Sequence, residues 1–311
     1  MPEPGTENAA PAPAWVPGKP DPCPEWMAVD WRAHLHRVEL AGATVNYAEV
    51  GEGEPILFVH GLGGSWRNWL ENLPHFGHGH RAIALDLPGF GESPMPEWPI
   101  DVPAYGRLIS EFCEALGIGR LAALVGNSLG GFVATEAVLR DQERFERLVL
   151  VDAAGLSLVN ASRRQVNAIW KTLRLAVPRL ASPHRTWFAR PRGRQVAFGG
   201  VIHEPQRIAP ALLQEQIEPG LNSLGLADAL ASMVGYDTRE QLGEIEIPTL
   251  IVWGRNDRLV PVRAAHAYQR RIPHARLEIL ERTGHIAMLE RPREFNALLD
   301  DFFSEGTPLS S

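Results

Sequence analysis

The chain has 311 residues, 45% of them hydrophobic, enough for one large α/β domain or for a core domain carrying an insertion. A formal net charge of −7 argues against a general nucleic-acid binder, and no apolar run approaches the roughly 18 residues of a membrane-spanning helix. Two cysteines, Cys23 and Cys113, give neither a disulfide framework nor metal-type spacing, which is compatible with the cytoplasm where the protein is expected to reside.

Residues 1–24 are dense in Pro, Ala and Gly and lack both a basic start and an apolar core. They read as the main part of an extended arm over 1–30 and not as a secretory signal. Trp26 and Trp31 are unusual for a solvated tail and are expected to anchor the arm on the folded body; Trp15 is a third tryptophan in this region.

Apolar and polar side chains alternate over 35–40 and 45–50 around Ala41-Gly42-Ala43, which predicts an edge hairpin. The continuous apolar run 55–59 suits a strand buried on both faces. His60-Gly61-Leu62-Gly63-Gly64 and a helix-compatible stretch over 65–73 follow. A strand at 82–85 ends at Asp86-Leu87-Pro88-Gly89-Phe90-Gly91, and 105–116 is an amphipathic helix. The run 121–125 then enters Gly126-Asn127-Ser128-Leu129-Gly130-Gly131, with a helix over 132–139 leading out. A strand at 148–151 closes on Asp152.

Between 156 and 243 no buried strand is legible, only helical stretches broken by prolines such as Pro178, Pro191 and Pro210. The rhythm resumes with a strand at 248–254, a helix at 263–271, a strand at 276–280 and a helix at 293–303. Strand alternating with helix predicts an α/β fold with a doubly wound, mostly parallel sheet. Its core would be 31–155 and 244–311, and 156–243 would be a helical cap. Within that cap, 160–194 hold eight arginines and Lys171 with no acid. The stretch is either a solvated face or an attractor for an anionic substrate, a membrane surface or an acidic partner.

Ligands of such sheets bind at strand carboxyl ends, where His60, Asp86, Ser128 and Asp152 fall. Gly-x-Ser-x-Gly between a strand and a helix is the pattern of a nucleophile elbow. Acyl transfer needs a nucleophile, a base to take its proton and a group that orients the base. Ser128, His285 and Asp257 fill those roles, in the chain order Ser, Asp, His. Asp152 is a rival acid, or else caps a turn where the cap departs. The N–H groups of Leu62 and Leu129 are the expected oxyanion donors. Gly61, Trp66, Phe90 and Asn127 are candidate pocket residues; Trp69, Phe132, Trp170, Trp187 and Phe188 are further aromatics for pocket or core. The loop at 60–66 lacks the third glycine of a dinucleotide fingerprint, so no cofactor is expected. His75, His78 and His80 have no cysteine or carboxylate at ligand spacing, so no metal is expected either.

With these motifs in order, the chain resembles the α/β-hydrolase superfamily over about 35–303. The resemblance rests on the His60 loop, Asp86-Leu-Pro-Gly-Phe-Gly-Glu-Ser93, the Ser128 elbow, Gly254-Arg-Asn-Asp-Arg-Leu-Val-Pro261 and Gly284-His285. It implies a serine hydrolase acting through an acyl-enzyme on a small carboxylic ester, as a monomer or homodimer. Ser128 disfavours epoxide hydrolases and haloalkane dehalogenases, which use aspartate at the elbow. The Gly-Asn-Ser-x-Gly-Gly elbow and Arg-rich cap are also similar to meta-cleavage C–C hydrolases, although Ile286 stands where those enzymes typically carry tryptophan. Cofactor-free haloperoxidases (perhydrolases) are similar as well. A non-catalytic ligand sensor on this fold is the alternative from another class, and such proteins often lose triad members.

Overall fold

A computed structural model gives the fold, and residues 24–156, 190–221 and 223–305 are described. Trp15, Cys23, Trp170, Lys171, Trp187, Phe188 and the arginines between 160 and 189 lie outside the described residues.

The eight apolar and alternating runs become the strands of one sheet. They are β1 (Leu35–Leu40), β2 (Ala43–Val50), β3 (Pro55–Val59), β4 (Arg81–Leu85), β5 (Ala123–Asn127), β6 (Leu148–Val151), β7 (Thr249–Gly254) and β8 (Arg276–Leu280). Their order is β1-β2-β4-β3-β5-β6-β7-β8. The hairpin pairs antiparallel at the edge, β2 pairs antiparallel with β4, and every later pairing is parallel. Side chains alternate between two apolar layers: Leu57, Val59, Leu124 and Ile251 enter one, while Ile56, Phe58, Val125 and Leu250 enter the other. Burial on both faces explains why these runs lack the polar alternation of β1. The strand order reverses between β3 and β5, which opens a crevice at their carboxyl ends.

Three expected helices differ at their starts. Over 65–73 the chain instead makes a 3-10 turn, Trp66–Trp69, and then a short helix α1 (Leu73–Gly77). Pro74 has no N–H to continue a helical ladder but fits a first turn, so the helix restarts there. The next helix, α2 (Val102–Ala115), begins earlier than the apolar period suggests because Asp101 caps it, Oδ1 accepting the Ala104 N–H at 2.6 Å. The helix after the elbow, α3 (Leu129–Arg140), starts directly at Leu129.

Trp26 and Trp31 do tie the start of the described chain to the core. The Trp26 indole donates to Glu71 at 3.1 Å, the Trp31 indole donates to the Trp26 carbonyl at 2.9 Å, and Trp31 packs tilted against Trp66 at 5.0 Å. Between residues 190 and 243 the described elements are helical, chiefly Pro191–Phe198, Pro210–Leu221 and Leu226–Ser232. No helix among the described residues is long and apolar enough to cross a membrane.

Asp86, wholly buried just past the end of β4, fastens two loops to each other and to β2. Its Oδ1 accepts the Trp66 N–H at 2.7 Å, and its Oδ2 accepts from the Asn46 amide at 2.8 Å and the Glu92 N–H at 2.9 Å. Burial pushes its pKa up to about 6 despite these donors. Asp86→Ala strands all three donors and is expected to cost about 3 kcal/mol in denaturant unfolding; a loss under about 1 kcal/mol would show that the loops close without it.

Candidate active site

β5 carries the chain to Ser128, whose backbone is held at φ 55° and ψ −114°. A non-glycine residue in this region costs on the order of 1–3 kcal/mol, so its surroundings must impose it. They do so by close approach. A Cβ on Gly126 would collide with the Gly130 carbonyl, and one on Gly130 would collide with the carbonyl oxygen of Val59. The Ser128 N–H donates to Val151 at 3.0 Å, and its carbonyl accepts from Phe132 at 3.2 Å and Ala154 at 3.1 Å.

The structure brings Ser128, His285 and Asp257 together, all buried. His285 Nε2 lies 2.8 Å from Ser128 Oγ, and His285 Nδ1 lies 2.7 Å from Asp257 Oδ2. A carboxylate can only accept at Nδ1, so the ring proton sits there and Nε2 is free to accept from the hydroxyl. Asp257 cannot swing away, because its Oδ1 accepts the N–H groups of Leu259 at 2.8 Å and Val260 at 2.9 Å. Burial disfavours a charge on His285, yet the hydrogen bond and charge of Asp257 outweigh it, and Asp152 adds to them. The net shift of the His285 pKa is upward.

Comparison with known proteins gives the family. A family model described as alpha/beta hydrolase fold matches residues 54–292. This chain belongs to that family. It is similar to a 2-hydroxy-6-oxo-6-phenylhexa-2,4-dienoate hydrolase of Comamonas testosteroni, 31% identical over 88% of this chain and 96% of the relative. Among solved structures, it resembles a meta-cleavage product hydrolase from Pseudomonas fluorescens IP01, with 25% identity, a TM-score of 0.71 and coverage of 88% and 98%. It also resembles a bacterial membrane phospholipase A, with 26% identity, a TM-score of 0.68 and coverage of 88% of each chain.

In this α/β hydrolase the rival acid is used otherwise. Asp152 Oδ1 accepts the Gly254 N–H at 2.8 Å and Oδ2 accepts the Ala287 N–H at 3.3 Å, so it braces β7 and the histidine loop without a hydrogen bond to the imidazole. Burial first, and the nearby charge of Asp257 second, push its pKa well up. Leu129 stands in the first turn of α3, where an N–H has no intrahelical acceptor. Gly61 packs on the nucleophile: a Cβ there would lie 3.0 Å from Ser128 Cβ. The loop bearing Leu62 therefore runs beside the serine.

The other pocket candidates lie elsewhere. Asn127 is buried, and its amide donates to Val151 at 3.1 Å and to the His285 carbonyl at 3.2 Å, so it fixes the histidine loop and has no donor left for a ligand. Trp66 packs tilted against Trp31 and borders a small recess shared with Ser65, Arg67, Asp86, Gly91, Glu92 and Pro219, not with Ser128. Phe90 is fully buried and packs edge-on to His60 at 5.5 Å. Both rings pack in the apolar layers, Phe90 in one and Trp66 in the other. His60 itself accepts the Leu87 N–H on Nε2 at 3.0 Å, and burial lowers its pKa to about 4, so it is a neutral tie between loops. His75 and His78 turn to different acids, Asp300 at 2.8 Å and Glu25 at 3.3 Å. Among the described residues no cluster of metal-ligating side chains forms.

Sequence reading missed Glu290. Its two oxygens accept the N–H groups of Gly284 and His203, both at 2.9 Å. The available signal was an acid closing the apolar run Ile286-Ala287-Met288-Leu289 just past the histidine.

The His285 shift is testable by nitrogen-detected NMR. The imidazole is expected to titrate above 6.5, because its folded-state pKa is raised. Asp257→Asn removes the main upward cause and leaves burial, so the midpoint should fall. By linkage, the stability that the charged pair contributes is full below the unfolded pKa and fades as pH rises through the raised one. An unchanged midpoint in Asp257→Asn would remove Asp257 as the partner of this ring.

Proposed function

We propose that this α/β hydrolase is a serine-nucleophile enzyme that cleaves a carbon–carbon bond in a 2-hydroxy-6-oxodienoate-type acid. The observation that carries the serine chemistry is the unbroken chain of hydrogen bonds from Asp257 through His285 to Ser128, 2.7 and 2.8 Å long. His285 Nε2 takes the hydroxyl proton as Ser128 Oγ adds to the ketone carbonyl. The N–H groups of Leu62 and Leu129 hold the oxyanion. This requires the substrate to react as its 2,6-dioxo tautomer, the 2-hydroxyl proton having moved to C5. Collapse then breaks the C5–C6 bond, and the electron pair leaves as a dienolate conjugated with the C2 carbonyl, which takes up a proton on departure. Water activated by the same His285 then hydrolyses the acyl-serine.

The bond is assigned on relatedness. The Comamonas testosteroni relative aligns over nearly its whole length, and a Burkholderia cepacia hydrolase of the same description is 30% identical over 86% of this chain. Residues 156–243 act in this reading as a cap over the strand ends, whose arginines meet the substrate carboxylate. The core is 31–155 with 244–311. We place the enzyme in the cytoplasm as a monomer or homodimer that needs no cofactor.

A second reading, hydrolysis of a carboxylic ester, is favoured by Ile286 beside the base and by the likeness to a phospholipase A. It uses the same steps with an alcohol as leaving group. A panel of 2-hydroxy-6-oxo-6-phenylhexa-2,4-dienoate and p-nitrophenyl esters of rising chain length separates the two. The expected result is a kcat/KM at least about tenfold higher on the dienoate, and a loss of about 10⁴-fold or more in Ser128→Ala. Preference for an ester transfers the assignment to the second reading. Turnover retained by Ser128→Ala, or failure of a fluorophosphonate to label Ser128, sinks both.

A further inference from the structure

The histidine loop and the inserted segment meet on a buried acid that the chemistry above does not use. Glu290 is 5% exposed and ends the short helix Ala287–Glu290. Its Oε1 accepts the Gly284 N–H and its Oε2 the His203 N–H, so one carboxylate joins residues far apart in the chain. Beside it, the His285 N–H donates to the Val201 carbonyl at 2.8 Å. Two successive N–H groups of the histidine loop thus end on residues 201–203, one directly and one through Glu290. The acid loop is tied to the same segment, where Arg258 donates to the Gly199 carbonyl at 3.3 Å.

A buried acid is costly unless its oxygens are hydrogen-bonded, and here the two oxygens of one side chain each accept one N–H. Glutamine offers one acceptor and would present its NH₂ to the other N–H. Burial raises the Glu290 pKa to about 8, against the pull of the two N–H groups and of Arg291. The His285 ring is far less tolerant than this bridge, since a displacement of about 1 Å at a reacting group can cost about a hundredfold in rate.

Resting on the Ser128–His285–Asp257 reading, we propose that Glu290 is a positioning residue that makes the register of His285 depend on the docking of residues 201–203. The cap and the general base are then coupled: the base is in place only while that segment is seated. Undocking the segment takes from the histidine loop its Val201 acceptor and half of the Glu290 bridge.

Amide hydrogen exchange and steady-state kinetics on Glu290→Gln and Glu290→Ala test this on the full chain. In Glu290→Ala the Gly284 and His203 amides are expected to exchange at least about tenfold faster, and to do so together, whereas Glu290→Gln, which keeps one acceptor, is expected to release at least the amide that meets its NH₂. The rate constant kcat should fall about ten- to a hundredfold while KM changes by less than about threefold. Glu290→Gln preserves the side-chain volume and stands as the test if Glu290→Ala does not fold. The proposal is overturned if Glu290→Ala releases only one amide, if Glu290→Gln releases neither, or if kcat is unchanged in a variant whose amides are released. A Ser128→Ala control that still turns over defeats the serine reading, whereas the exchange result tests the bridge independently.

Discussion

The site depends on one close approach of backbone to backbone. At Gly130, the first turn of α3 rests on the Val59 carbonyl at the end of β3, with no room for a side chain between them. That contact fixes the angle at which α3 leaves the sheet and holds Ser128 at a positive φ that its own side chain disfavours. It also brings the loop after β3 beside the nucleophile, because β3 and β5 are neighbours in parallel register. The strain at Ser128 is thus imposed by two strands and a helix that are themselves deeply buried. Leu129, in the first turn of α3, has no intrahelical acceptor for its N–H.

Around this contact the buried polar groups divide into two sets by what they bond. Ser128, His285 and Asp257 bond one another, which leaves the hydroxyl and imidazole free to exchange a proton. Asp86, His60, Asn127, Asp152 and Glu290 bond mainly backbone N–H and C=O groups of loops at the same sheet edge. An unpaired polar group in such an interior costs a few kcal/mol, so each of these pairings locks a loop that has no regular structure of its own. The histidine loop is the most heavily held: Gly284, His285 and Ala287 are each fixed through the backbone. A perturbed pKa at Asp86, Asp152 or Glu290 therefore reflects burial in a scaffold, whereas at His285 the upward shift comes, against burial, from its hydrogen bond to Asp257.

The strands and the three residues of the hydrogen-bonded chain were legible because they follow short-range rules. A strand buried on both faces must be continuously apolar, and an elbow needs small residues where backbones touch; both leave local marks, as at 55–59 and 126–130. Helix starts were less legible: α2 is set by the Asp101 cap and α1 by Pro74, each a single residue outside the apolar period. The roles of Asn127 and Glu290 were not legible, since they depend on which backbone group the fold places opposite the side chain. Asn127 lies next to the nucleophile yet meets the His285 carbonyl, 158 residues away. Proximity in sequence suggested substrate contact, and the tertiary structure turned the amide the other way. Trp66 and Phe90 misled for the same reason: an aromatic beside a motif loop can turn inward as readily as outward.

The hydrogen-bonded chain itself does not choose between a C–C bond and an ester, since both begin with attack on a carbonyl. They differ in the leaving group. An alcohol needs only a proton, whereas a carbanion must be delocalised and held so that conjugation survives departure. The residues that decide must therefore contact the departing half of the substrate, beyond the carbonyl. In the proposed reading, the segments between β6 and β7 would take that half. Those same segments accept the His285 N–H at Val201 and offer the His203 N–H to Glu290. A change of leaving group through the cap is thus constrained: its loops can vary in side chain, but the backbone at 201–203 must keep its hydrogen bonds for the base to stay in reach of Ser128.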